Sequence, residues 1–260
     1  NPDGAVYSRK QKRMWRKNRS KNRWGMGVDN NRNYSYEWGG YGASASSWSD
    51  TYRGPNAMSE VENQVIENLQ EEHGFTAAIS FHSYSELILW PWGYTSSMQT
   101  RDHAFFLKHG TVMGKIMDDY EPIQASDLYV ASGIFDDYLY GKYNVAAYTI
   151  ELGRQFVPPQ SEVPEINRRG VKMLRYVFKN IRNGLSPEQQ QSEVYKLAGK
   201  VQNFVRSMIV GQDEQNIFQA AQSFNNETSE DLTAAFDLLN MKEELRQKVL
   251  KTLQRSQNFQ

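Results

Sequence analysis

The chain has 260 residues, 39% of them apolar, with 30 basic and 30 acidic side chains and no cysteine. That length and apolar content suit one large domain, or a domain with an appendage, around a real core. Zero net charge gives no bulk field toward a polyanion, the missing thiol excludes disulfide and thiolate chemistry, and no apolar run is long enough to span a bilayer. The chain opens Asn1-Pro2-Asp3-Gly4, with neither methionine nor a signal-peptide pattern, as a processed or truncated product would. Residues 9–23 then hold nine lysines and arginines and no acid. No nucleic-acid recognition motif accompanies them, so they are expected to form a solvated face, from which Arg16, beside Trp15, could reach a cleft. Asp29-Asn30-Asn31-Arg32-Asn33 follows, flanked by Trp24, Tyr34, Tyr36 and Trp38. This polar run reads either as a plain turn or as a carboxylate receptor, since an arginine beside amide side chains suits that group.

Met58, Val61, Val65 and Leu69 recur at helical spacing, with Ser59 and Glu62 in capping-box relation. Ala77–Phe81 and Leu87–Trp90 are short apolar or aromatic runs and read as buried strands. Phe105, His109, Val112 and Ile116 mark a further helix, Ala146 to Leu152 alternates as a strand should, and Ile166, Leu174, Val177 and Ile181 give a helical stripe. Strands interleaved with helices predict an α/β fold, a sheet covered by helices.

Every tryptophan lies at or before Trp92 and every proline at or before Pro187, which places a boundary near Asn183–Pro187. Beyond it the pattern is helical throughout. Val194, Leu197, Val201, Phe204 and Met208 form one stripe, capped by Ser186 with Pro187 in the first turn. Ile217/Ala221/Phe224, Leu232/Phe236/Leu239 and Leu245/Val249/Leu253 form shorter ones. A small helical bundle is expected, with a partner-binding tail as the alternative.

Candidate chemistry centres on two residues. His82, in Ser80-Phe81-His82-Ser83-Tyr84-Ser85, is either a satisfied core histidine or a metal ligand or base. The other histidines are His73, His103 and His109, and none of the four is followed by an acid at the third position, so neither H-x-x-E nor H-E-x-x-H occurs. Glu151 falls among apolar neighbours in the alternating strand, where a carboxylate must sit at a strand end, be paired, or be functional.

In order and spacing, NPDG, MWRKNRS, GVDNNRN, TYRGPNAMSEVE, SFHSYSELILWPWGY, YVASGIFDDYLYG and YTIELG resemble the zinc metallocarboxypeptidases of the carboxypeptidase A/B family. The resemblance covers about residues 1–183 and implies the later part of a catalytic domain with a central mixed sheet flanked by helices. Residues 184–260 form a helical region without a counterpart. The resemblance implies Zn2+ as cofactor, held by the histidine and glutamate of an H-x-x-E motif and by a later histidine. His82 matches that third ligand, and the first two would lie upstream of Asn1. It further implies Glu151 as general base toward zinc-bound water, Arg16 as oxyanion stabiliser, Asn31 and Arg32 as the clamp on the substrate's terminal carboxylate, and Tyr129 as a mobile cover. Ser83-Tyr84 and Pro91-Trp92 match places where the family has cis peptide bonds.

Gapless counting from Tyr129 puts Asp136 at the floor of the specificity pocket, where the family's lysine- and arginine-removing members carry aspartate. Asp137 is the competing candidate, one residue on, and Ile134 and Phe135 stand where the family often has small residues. The function expected from the resemblance is release of C-terminal residues, lysine or arginine first, from peptides or proteins. The alternative is a zinc-free pseudoenzyme or scaffold that binds peptide C-termini. The missing N-terminal part as a separate chain is one expected partner, nucleic acid and a membrane span are not expected, and a secreted, extracellular or periplasmic setting follows at family level.

Overall fold

The computed structural model describes residues 2–12, 14–21, 26–185, 192–209 and 213–257. The proposed cap at Ser186-Pro187 and three members of the basic and aromatic stretches, Arg13, Arg23 and Trp24, lie outside them. Among the described residues four strands, β1 (Ala77–His82), β2 (Leu87–Trp90), β3 (Glu121–Gln124) and β4 (Ala146–Glu151), form one sheet in the order β1-β4-β2-β3. β1 runs parallel to β4, β4 antiparallel to β2, and β2 parallel to β3, so the sheet is mixed. β4 is buried along its whole length, with Thr149 and Glu151 on one face, and β2 likewise, which explains the run Leu87–Trp90 apolar on both faces. β1 lies at the sheet's edge and leaves Phe81 exposed, so it is not the fully buried strand its composition suggests.

The first compact unit takes in residues 1–96 and 106–185. Its helices are α1 (Pro2–Gln11), α2 (Val61–His73), most of α3 (His103–Ile116), α4 (Ala125–Leu128), α5 (Phe135–Tyr143) and α6 (Val163–Asn180). The predicted capping box on α2 does not form. Glu60 is the N-cap residue without a side-chain cap, and Ser59 Oγ instead donates to Glu60 Oε1 at 2.7 Å. The Glu60 carboxylate is drawn inward by Asn18, whose amide donates to Oε2 at 2.6 Å. The apolar stripe Val61, Val65 and Leu69 faces outward, and the helix buries Asn63 and Gln70. The core beside the sheet is largely aromatic. Trp92 stacks on Tyr36 with the rings 1° from parallel, and Tyr94 and Tyr140 meet its other sides. Gly141 is required at this point, because a Cβ there would enter the Tyr36 ring.

The second unit comprises residues 97–105 and 186–260. α7 (Glu193–Ile209), α8 (Glu214–Ala221), α9 (Ser229–Leu238) and α10 (Glu243–Gln257) follow the predicted stripes. Leu197, Val201, Phe204, Phe236, Leu239 and Val249 are buried, as a stripe facing its neighbours requires. α9 opens on a capping box between Thr228 and Asp231. The segment 97–105 is held by Lys242 N–H donating to the Ser97 carbonyl, Gln99 N–H to the Leu239 carbonyl, and the Tyr195 hydroxyl to the buried Asp102 carboxylate.

Candidate functional site

Strand register brings the two chemically suggestive residues side by side. His82 ends β1 and Glu151 ends β4, and the two are direct partners in the parallel ladder. Partners in register project to one face, and their side chains approach to 3.7 Å between His82 Nδ1 and Glu151 Oε1. Burial, with the nearby cations Arg16 and Arg32, drives the His82 pKa down to about 4, with Asp29 opposing. The imidazole is therefore neutral at physiological pH, and this approach is a polar contact, not an ion pair. Its Nε2 lies 3.0 Å from Ser80 Oγ. Burial raises the Glu151 carboxyl to about 7 against the opposing pull of Arg16.

Two residues back along β4, on the same face, Thr149 pairs with Leu89 of β2. These four side chains form part of the lining of a pocket completed by Asn31, Arg32, Gly93, Asp136 and, between β3 and α5, Ala125, Leu128, Tyr129, Ala131 and Ile134. Asn31 and Arg32 come from a short 3₁₀ turn (Asn30–Arg32), where a turn or a receptor was expected; the segment is a turn that also faces the pocket. The Asn31 Oδ1 accepts from the Phe135 N–H at 2.8 Å, which orients its NH2 group as the remaining donor. Arg32 is almost wholly buried. Nε donates to the Gly42 carbonyl and Nη1 to the Asn31 carbonyl, which leaves Nη2 without a protein acceptor among the described residues. Its guanidinium lies 5.8 Å from the ring centre of Tyr129, which is 49% exposed and so has room to move.

A larger space, about 490 Å³, adjoins through the shared residues Asn31 and His82 and carries Arg16 and Asp29 on its wall. Arg16 therefore reaches a cleft while its side chain stays 39% exposed. Its Nε donates to Asp29 Oδ2 at 2.7 Å. Lys17 does leave the solvated face, being buried with Nζ donating to the Ser47 carbonyl. Trp15 is only half-buried, packed on Tyr7 and Arg19.

The adjacent acids of α5 point to different places. Asp137 accepts the N–H groups of Gly93 and Tyr94 at 2.8 and 2.9 Å and so fastens the loop after β2. Asp136 lines the pocket, and its Oδ1 is buried without a hydrogen-bond partner among the described residues. Burial lifts its pKa to about 7, against the Thr149 hydroxyl, with Glu151 raising it further. Three residues that shape the site, Asp29, Thr149 and Ser80, were not predicted. Asp29 lies in the polar run already singled out, and Thr149 could be found from its period-2 relation to Glu151.

The peptide bonds Ser83-Tyr84 and Pro91-Trp92 are cis. Among the described residues, no three histidine, cysteine, aspartate or glutamate side chains gather closely enough to hold a metal ion. His82 is thus at most one ligand of a centre that the described residues do not complete.

Comparison with known proteins matches residues 1–173 to the family model described as zinc carboxypeptidase. Mouse (Mus musculus) carboxypeptidase A1 is 38% identical over 183 residues, 63% of this chain and 42% of that protein. Carboxypeptidase B of Astacus astacus is 35% identical over 205 residues, 69% of this chain and 65% of its own length. Bovine thrombin-activatable fibrinolysis inhibitor, solved with tick carboxypeptidase inhibitor, aligns with a TM-score of 0.64 and 32% identity over 70% of this chain and 68% of that one. The chain spans about two fifths of the length of the mouse relative.

Proposed function

Since the chain belongs to the zinc carboxypeptidase family, we propose that residues 1–183 form the later part of a metallocarboxypeptidase catalytic domain acting at peptide or protein C-termini. The observation that carries this reading is the single pocket lined by Asn31, Arg32, His82, Asp136 and Glu151. Asn31 and Arg32 clamp the free carboxylate of the substrate, the planar guanidinium matching its two oxygens. Tyr129 closes over the terminal residue, whose side chain enters toward Asp136. A lysine or arginine there gives the buried carboxylate a partner, whereas an apolar end leaves it unpaired. Arg16, fixed by Asp29, faces the charge that develops on the carbonyl oxygen. Glu151 takes and returns the proton as general base.

Catalytic zinc sites use three protein ligands, and the metal, when bound, brings the pKa of a water toward 7. His82 is the one ligand assigned to this chain. The other two would come from sequence outside it, in a longer precursor or in the N-terminal part of the domain supplied as a separate chain. No described helix is long and apolar enough to cross a membrane. A secreted, extracellular or periplasmic setting fits this reading.

The test is steady-state hydrolysis by the protein isolated from its source, on matched peptides ending in lysine, arginine, leucine and phenylalanine. Basic ends should be released faster by a factor on the order of 10 to 10³. Chelation should abolish release, and Glu151→Gln should lower kcat by about 10² to 10⁴. Equal or better release of apolar ends contradicts the basic preference. Binding of peptide C-termini without hydrolysis, unaltered in Glu151→Gln, favours a zinc-free binder instead.

A further inference from the structure

The pocket is small for a basic side chain of arbitrary shape. Its whole free volume is about 30 Å³, room for two or three waters by the usual reckoning of roughly 10–15 Å³ each. The mouth is formed by Leu128 and Tyr129, both well exposed, and these side chains can yield. The inner walls cannot. Leu89, Ala131, Ile134, Thr149 and Asp136 are all buried, and Leu89 and Thr149 are fixed by their pairing in the sheet.

Ile134 forms one of these buried walls. It is the N-cap residue of α5, in extended backbone geometry, two positions before Asp136. Its Cδ1 fills the space that a Cβ on Gly93 would need, so the isoleucine leans across the loop that follows β2. That loop is anchored from beneath by Asp137 through two backbone hydrogen bonds, and retreat of either partner would break them or strain the start of the helix. In the same lining, the Asp136 Oδ1 has no hydrogen-bond partner among the described residues.

We propose that Ile134 makes this pocket selective for lysine over arginine, admitting a compact ammonium to Asp136 and excluding a guanidinium. The inference rests on the assignment of this pocket to the terminal side chain of a substrate. A lysine ε-ammonium is a point-like cation on a thin methylene stem and replaces a single water. A guanidinium is a rigid plane of four heavy atoms and needs breadth as well as depth to present its fork. Apolar contact with Ile134 and Leu89 suits the lysine stem equally well, so the wall that excludes arginine also retains lysine.

The carboxylate clamp and the pocket both lie in this chain, so binding to the 260-residue protein can be measured without hydrolysis. Calorimetric titration with Nα-acetyl-lysine, Nα-acetyl-arginine and Nα-acetyl-leucine should show lysine preferred over arginine by about tenfold or more. Ile134→Ala should bring the two within about twofold of each other, chiefly by tightening arginine, and Ile134→Val should fall between. If the alanine variant fails to fold, the valine variant decides. Equal affinities in the parent protein, or a ratio unmoved by either substitution, overturn the role of Ile134. Lysine binding no better than leucine, or no binding of lysine at all, overturns the pocket assignment beneath it. Asp136→Asn separates the two, because it should erase the advantage of both cations over leucine.

Discussion

Asp136 and Asp137 occupy one helical turn, share nearly complete burial, and differ only in what their oxygens meet. Asp137 is burdened by desolvation yet receives two backbone N–H groups, and its pKa is still raised by burial. Asp136 meets little but the Thr149 hydroxyl and stands at about 7 where an ordinary aspartate is at 3.8. The native state therefore holds a proton that the unfolded chain releases above pH 3.8, so this group's contribution to stability is greatest below that pH and is lost as the pH rises toward 7. Asp136→Asn should raise stability at about pH 8 by an amount on the order of a few kcal/mol, and leave it nearly unchanged at about pH 4. Urea unfolding at the two pH values measures this. A stability gain that is the same at both would show that ionisation of Asp136 is not the cause. Lysine, which needs the ionised carboxylate, should for the same reason bind more tightly above neutrality than below it.

At the scale of elements, hydrophobic period alone mistakes which face of a helix is inside. The stripe Val61, Val65, Leu69 on α2 has the right spacing, yet it faces outward, and the helix is seated by polar contacts at Asn63 and by Glu67 with Tyr138 and Lys142. Val65→Ser should consequently shift stability by no more than about 0.5 kcal/mol. Met173, fully buried on α6, should cost about 2–5 kcal/mol when replaced by alanine. A loss for Val65→Ser as large as for Met173→Ala, in the same unfolding assay, would mean that the α2 stripe is covered in solution. The strand β4 and the helices α6, α7, α9 and α10 were legible because each has one clear period. β3 is four residues with a proline, and α5 carries two buried aspartates where a core face should be apolar, so neither gives a period to read. No pattern in a single strand could pair His82 with Glu151, since register between β1 and β4 is a tertiary fact. The resemblance of whole stretches pointed to those residues together, and gapless counting along it put Asp136 at the pocket, with Asp137 as the competing candidate.

For the whole molecule, two units divide the chain, and every residue lining the pocket belongs to the first. The chain belongs to the zinc carboxypeptidase family, yet its described residues gather no three side chains that could hold a metal ion, while Asn31 and Arg32, the proposed carboxylate clamp, are consecutive residues of one turn. On the proposed function, recognition of a peptide end uses donors of this chain, whereas hydrolysis needs metal ligands from elsewhere. The most direct measurement is the affinity of this chain for one lysine-ended peptide carrying a free C-terminal carboxylate, compared with the same peptide as its C-terminal amide. The carboxylate form should bind about ten- to a hundredfold more tightly, and Arg32→Lys, which keeps the charge but loses the planar fork, should erase most of that difference. Equal affinity for acid and amide would contradict the account.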